Sequence, residues 1–381
     1  MKILKCQLLC VLLVLSGCST VKGWMSSATD PNAPASLVNF TETAKFTERW
    51  HANVGDAGAN LLQVALTRDA VYAVSGKGSL VRLDRATGHT VWQAENKIVV
   101  TAGVGAGGGL VLIGSEKGEV FAFSEDGKLS WKQKLSSEVL GVPQVGEGIV
   151  VVRTGDGHIA GLRASDGKSL WVYERSPPAL GVRSHAGVVI RRGLVYAGFA
   201  GGKLLAIKLA DGSLVWENAV SQPRGNTELE RISDITSNPI ISDEQVCAIA
   251  FQGNLACFEA GQGSPLWNRD ISSDKGLFIS RKQLYVSDAR GVVSALDKDT
   301  GSTIWKNEQL LLRDTSAVSV IDRFVVMGDY QGYIHALSRE EGQFVARTKL
   351  DGGAIQTQAV EMDGGLLVLT RNGGVYSLSV H

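Results

Sequence analysis

The 381-residue sequence predicts an all-β fold, an eight-bladed β-propeller with four antiparallel strands per blade. Three observations predict it. A short unit recurs in which a turn glycine is followed four residues later by tryptophan: Gly88/Trp92, Gly127/Trp131, Gly167/Trp171, Gly212/Trp216, Gly263/Trp267 and Gly301/Trp305. Its copies lie roughly forty residues apart, the length of one four-stranded blade. Between them, short β-branched runs such as V-Y-A-V, L-V-L-I-G, I-V-V-V and F-V-V-M-G alternate with Gly, Asp, Asn and Ser turns, and no stretch keeps a 3.6-residue apolar period, so no long helix is expected. Finally, the two ends complement each other. The last repeat supplies a strand b over 365–370 and a strand c over 374–378 but stops at His381 without a strand d, while K-F-T-E-R-W, ending at Trp50, has no strands a, b or c before it. Giving residues 46–50 to the last blade as its outer strand closes the ring and removes the open edge of a linear array. Seven blades with a separate N-terminal strand are the alternative.

Residues 1–17 read as a signal peptide, with Lys2 and Lys5 ahead of an apolar run too short to span a bilayer comfortably. The run ends L-S-G-C at Cys18, which resembles the lipobox of bacterial lipoproteins and implies cleavage before Cys18 and lipid attached to that residue. Several acyl chains would anchor the protein stably. Ser19, in place of Asp, resembles an outer-membrane address. Residues 18–45, with S-S-A-T-D-P-N-A-P-A-S, are expected to form a lipidated flexible tether in which Trp24 lies. The remainder, 46–381, is the propeller. The 45 glycines and 8 prolines of the whole chain suit many tight turns, and its zero formal charge gives no reason to expect nucleic acid as a partner.

The sixth repeat shows the expected blade most cleanly: a over 276–280, b over 283–287, c over 291–296 and d over 302–306. Strand b is continuously apolar because neighbouring blades cover both its faces. D-K-D-T-G makes the c–d turn, where Asp297 or Thr300 bonds local backbone and Gly301 supplies positive φ. The tryptophan of strand d packs on the adjacent blade. Trp50, Trp92, Trp131, Trp171, Trp216, Trp267 and Trp305 are therefore structural, and the copy at Gly342 carries Ala346 instead. The glycine run at 103–109 is expected to be the a–b turn of the second blade, and G-D-G at 155–157 a hairpin turn.

No catalytic, metal or cofactor site is legible. The six histidines are scattered without H-E-x-x-H or a clustered ligand set, and no G-x-S-x-G arrangement occurs. Cys247 and Cys257 sit in strands b and c of the fifth blade. A disulfide is open to them, but two packed thiols are expected, because adjacent strands often hold cysteines in unsuitable geometry. The informative irregularities are two long, consecutive d–a links, after Trp171 and after Trp216. All d–a links leave on one face, so these two should meet beside the fourth blade. The first presents Leu180, Val182 and Arg183 beside a diproline, and the second presents Glu228, Glu230, Arg231 and Asp234. Apolar anchors with arginine and a polar rim suit a protein-binding patch; ordinary loop packing is the alternative.

The D-x-x-T-G-x-x-x-W repeat resembles that of pyrroloquinoline-quinone dehydrogenases, whose propellers also have eight blades. That leaves a quinoprotein dehydrogenase or small-ligand propeller as the alternative function, although the vicinal cysteine pair typical of those enzymes is missing. The lipobox, tether, repeats, G-N-T-E-L-E-R-I-S-D at 225–234, G-D-Y-Q-G-Y-I-H at 328–335 and G-Q-F-V-A-R at 342–347 together resemble the BamB lipoprotein family. This resemblance covers the whole chain. It implies a non-catalytic accessory subunit of the machine (the BAM complex) that assembles β-barrels into the outer membrane, lipid-anchored and facing the periplasm. The implied partners are the POTRA domains of BamA, and with them unfolded outer-membrane proteins bound by edge pairing. It places the BamA contact on the two long links, at Leu180, Val182, Arg183 and Asp234, with Glu230 and Arg231 beside them.

Overall fold

The computed structural model describes residues 32–381 apart from 177, 179, 243 and 281. The signal segment, Cys18 and Trp24 lie outside the described residues. The described chain forms eight four-stranded antiparallel sheets arranged as a ring of blades, with no helix among the described residues. In seven blades the strands follow chain order from the hub outwards. The eighth is built from both ends: Val360–Met362, Gly365–Leu369 and Gly374–Val380 are completed by the N-terminal strand Phe46–Asn53. Phe46 pairs with Val380 and Asn53 with Gly374, three residues beyond the expected strand. The apolar second strands, among them Ala70–Val74, Phe324–Gly328 and Gly365–Leu369, are buried along their whole length. The core is accordingly divided into layers between blades; one layer joins Leu112 and Val120 of blade 2 to Val150 and Val152 of blade 3.

The tryptophans hold these layers in register. Each one lies over the c–d turn glycine of the next blade and donates its indole N–H to a backbone carbonyl in or beside that turn. The bonds run Trp50 to Arg85 (3.1 Å), Trp92 to Glu125 (3.0 Å), Trp131 to Ala164 (2.7 Å), Trp171 to Leu209 (2.9 Å), Trp216 to Ala260 (3.1 Å), Trp267 to Lys298 (2.8 Å) and Trp305 to Arg339 (2.9 Å). Gly301 shows why the turn demands glycine twice over. Its φ is +68°, and a Cβ there would lie 2.5 Å from the Trp267 ring. Aiming the indole sideways takes a β-bulge. In all eight blades the c–d pairing skips the residue just before the tryptophan position, from Val91 in blade 1 to Arg49 in blade 8. The skipped side chain turns to solvent, which is why Leu266 and Ile304 are about half exposed.

Blade 7 departs from this pattern for a reason visible only in three dimensions. Its Ala346 faces blade 8, the one blade whose c–d turn is replaced by the two chain ends, so there is no turn glycine for an indole to cover. Ala44 and Phe46 pack into the space beside Ala346 instead. The bulged Val345 offers its free carbonyl to the amides of Thr43 (3.0 Å) and Ala44 (3.1 Å). Residues 35–44, expected within the flexible tether, therefore lie against the propeller. Phe40 stacks on Phe344 at 5.3 Å beneath the Arg347 guanidinium at 4.9 Å. Ala35 donates to Leu311 O (2.9 Å) and accepts from Arg313 Nη1 (2.9 Å). Arg313 is held by the buried Asp329 carboxylate at 2.6 Å, and Asp329 also accepts from His335 Nε2 at 3.0 Å. With Arg347 donating to its Nδ1 at 3.3 Å, His335 is in place as a neutral ring. The segment crosses from the c–d face to the face of the d–a links, where Ala35 meets Leu311.

Two further expectations are corrected. Cys247 and Cys257 form a disulfide. They are directly opposed in register, in the closely spaced non-hydrogen-bonded position, with Cα atoms 4.1 Å apart. The glycine run at 103–109 is mostly strand, not turn: Val100–Gly107 forms strand a and only Gly108 and Gly109 turn. Its glycines let neighbouring blades approach at the hub, since a Cβ on Gly105 would lie 2.1 Å from Pro143 O.

Replacing Trp305 by Ala should cost about 3–5 kcal/mol in urea unfolding, whereas Ile304→Ala, at the bulge beside it, should stay within about 0.5 kcal/mol. The buried cluster also sets a pH dependence. Burial holds His335 below its ordinary 6.5. Burial pushes Asp329 up, but the His335 and Arg313 hydrogen bonds outweigh it and hold this carboxyl below 3.8. Both folded values are depressed, so both contributions are present at neutral pH. The histidine part is lost as pH falls below 6.5, and the aspartate part as it falls below 3.8. The melting temperature should fall on acidification over that range, and Asp329→Asn should flatten the fall and expose residues 35–44 to protease.

Candidate functional site

The two long links meet as their positions require. The first follows strand Ser169–Tyr173 and the second follows strand Leu214–Ala219. Asp234 of the second link is buried, and its carboxylate accepts the Val182 amide (2.7 Å) of the first link and the Gly201 amide (2.9 Å) of blade 4's own b–c turn. Its backbone pairs with Phe251, anchoring the link to blade 5. Asn238 Oδ1 adds a bond from Gly187 N at 2.6 Å. Asp234 was expected on the binding rim; it lies beneath it and positions the residues that are exposed.

Those residues are Leu180 (48% exposed), Val182 (38%) and Arg183. Arg183 forks onto Glu138 of the preceding d–a link, at 3.2 and 2.8 Å. That hydrogen bond raises the Arg183 pKa and holds Glu138 below its ordinary value. The pair is exposed, so it contributes little to stability and can exchange partners. Glu230 and Arg231 are exposed but staple their own link. The Glu230 carboxylate accepts the Asn226 and Thr227 amides, which lower its pKa, and Arg231 donates to Gly225 O at 3.1 Å and pairs with Glu228. The tip so formed displays Leu229 at 68% exposure, the most exposed large apolar side chain among the described residues. Its place inside the polar run T-E-L-E-R was the available signal in the sequence.

Under the first link lies a cavity of about 340 Å³ lined by Glu138, Arg153, Arg175, Val182, Phe199 and Asp234, among others. Phe199 is flanked by two guanidinium groups, Arg153 at 4.8 Å and Arg175 at 5.5 Å. Burial pushes Arg153 down to about 10, opposed by the charge of Asp234. Sequence reading missed Glu138, Arg153 and Phe199, because they arrive from the links and hairpins of three different blades. Among the described residues no group of three or more His, Cys, Asp or Glu side chains is placed to hold a metal.

Asp234→Ala should free the links from each other. Hydrogen exchange at the Val182 and Gly201 amides should accelerate about tenfold or more, while the blade cores keep their protection.

The sequence matches the family model described as outer membrane protein assembly factor BamB over residues 76–307 and 289–381. It is 40% identical to the outer membrane protein assembly factor BamB of Nitrosomonas eutropha, over 99% of this chain and 95% of that protein. The crystal structure of BamB from Moraxella catarrhalis superposes with a TM-score of 0.81 at 26% identity, over 88% of this chain and 99% of that one. The quinohemoprotein alcohol dehydrogenase of Comamonas testosteroni shares the fold alone, with a TM-score of 0.74 at 13% identity over 76% of its length. With its blades, its closure and its paired long links in place, this chain belongs to the BamB family of outer-membrane protein assembly factors.

Proposed function

We propose that this chain is the non-catalytic scaffold subunit of the machinery that assembles β-barrel proteins into the outer membrane. It docks on the periplasmic POTRA domains of BamA through the two long links, and lipid on Cys18 anchors it facing the periplasm. The observation that carries the reading is the cross-pinning of these links by Asp234 on a rigid rim. It presents Leu180 and Val182 as apolar anchors beside an arginine whose present ion pair is exposed and exchangeable. Preorganised apolar anchors with arginine are the usual carriers of interface energy. The path of residues 35–44 adds a geometric support. It brings the lipid-bearing end out on the same face as the links, and residues 19–34 reach at most on the order of 50–60 Å when extended. A docked partner is thus held near the membrane that the lipid enters.

Leu180→Glu combined with Arg183→Glu should abolish co-purification with BamA while leaving the melting temperature within a few degrees of the parent. Undiminished co-purification of a folded variant would remove these links from the interface.

A further inference from the structure

Charge accounting in the cavity beneath the first link leaves one donor over. Arg175 is taken by Glu217, Arg183 by Glu138, and the Asp234 carboxylate by the amides of Val182 and Gly201. Arg153, at the end of strand Ile149–Arg153, donates only to Ala186 O at 3.3 Å, and among the described residues no carboxylate lies within ion-pair distance of it. Its guanidinium is laid over Phe199 at 4.8 Å, which fixes its plane, and it borders the cavity. Even a partly buried cation without an ion-pair partner is costly to retain. Here it is held in a fixed orientation on the wall of a cavity that the docking loop also lines.

We infer that this cavity is a socket for one acidic side chain of the docked partner, with Arg153, its guanidinium plane set by Phe199, as the bidentate receiver. The inference rests on the docking function proposed above and adds the chemistry of the inserted residue. Several features select a carboxylate. A guanidinium fork matches its geometry. The other cations at the site already have carboxylates, so Arg153 offers the single open ionic position. Burial already depresses the Arg153 pKa to about 10, a strain that an arriving anion relieves. The cavity shares Val182 and Arg183 with the docking loop, so a side chain entering it beside that loop comes from whatever covers Leu180 and Val182.

The test is calorimetric titration of the whole propeller with the purified periplasmic domain of BamA. Arg153→Gln should weaken binding about 10- to 100-fold, the range for one charge-assisted hydrogen-bonded pair. Arg153→Lys should recover only part of it, because an ammonium group lacks the fork. On the partner side, acidic residues changed singly to their amides should include one whose loss is not additive with Arg153→Gln. If Leu180→Glu/Arg183→Glu abolishes binding while folded Arg153→Gln binds like the parent, the socket is overturned and the docking surface stands. If neither variant changes affinity, the docking surface itself is wrong. Should Arg153→Gln fail to fold, the partner scan against the unaltered propeller decides: no acidic-to-amide change weakening binding overturns the socket.

Discussion

The stack of an indole on a turn glycine, closed by an N–H···O=C bond, is the contact on which the rest of this structure depends. A four-stranded blade has two apolar faces and cannot bury either alone. Its neighbour must sit at one height and one angle for the layers between blades to pack. The indole sets both, since its ring fits only where the next turn lacks a Cβ and its N–H reaches only a carbonyl at that turn. The preceding bulge turns the ring out of the sheet and towards that neighbour. Glycine, bulge and tryptophan form one device, and removing any of the three disables the other two.

Closing the ring puts a different demand on blade 7. Because the chain's two ends meet in blade 8, the turn that an indole would cover is missing there, and the sequence answers with Ala346. The space goes to the chain's own lead-in segment, which is tied to a bulge carbonyl on one face and to Arg313 on the other. The buried Asp329–His335–Arg313 cluster thereby acquires a purpose. A charged group is seldom worth burying for stability alone, but here the arginine, held rigid by the aspartate, grips a backbone carbonyl of the tether. The N-terminal segment leaves the propeller at a defined place.

The candidate interface follows from the same rigidity. Blades 3, 4 and 5 are packed together through shared apolar layers, so two links of unusual length that rise between them can be pinned together by a single carboxylate. Most of the polar residues there are satisfied internally: Glu230 and Arg231 shape a tip, and Asp234 lies under the surface. What remains for a partner is a small apolar set, an exchangeable Arg183 and the cavity beneath. Ordering these loops in advance lowers the entropy that association would otherwise cost.

Repeat spacing, buried second strands and mismatched chain ends are local or periodic properties. They were sufficient for the sequence by itself to determine eight blades, the closing strand and the two unusually long links. The bulge, the docking of residues 35–44 and the Cys247–Cys257 bridge escaped it. Each depends on strand parity or on neighbours hundreds of residues away: a one-residue skip reverses which side chains face outward, and opposed cysteines bridge or not according to hydrogen-bond phase. The candidate site divided in the same way. Leu180, Val182 and Arg183 could be found because they stand in a conspicuous loop, whereas Arg153, Phe199 and Glu138 come together only when three blades are set side by side. Only the tertiary structure decided that Asp234 works from underneath, because burial is a property of the assembled loops and not of the residue.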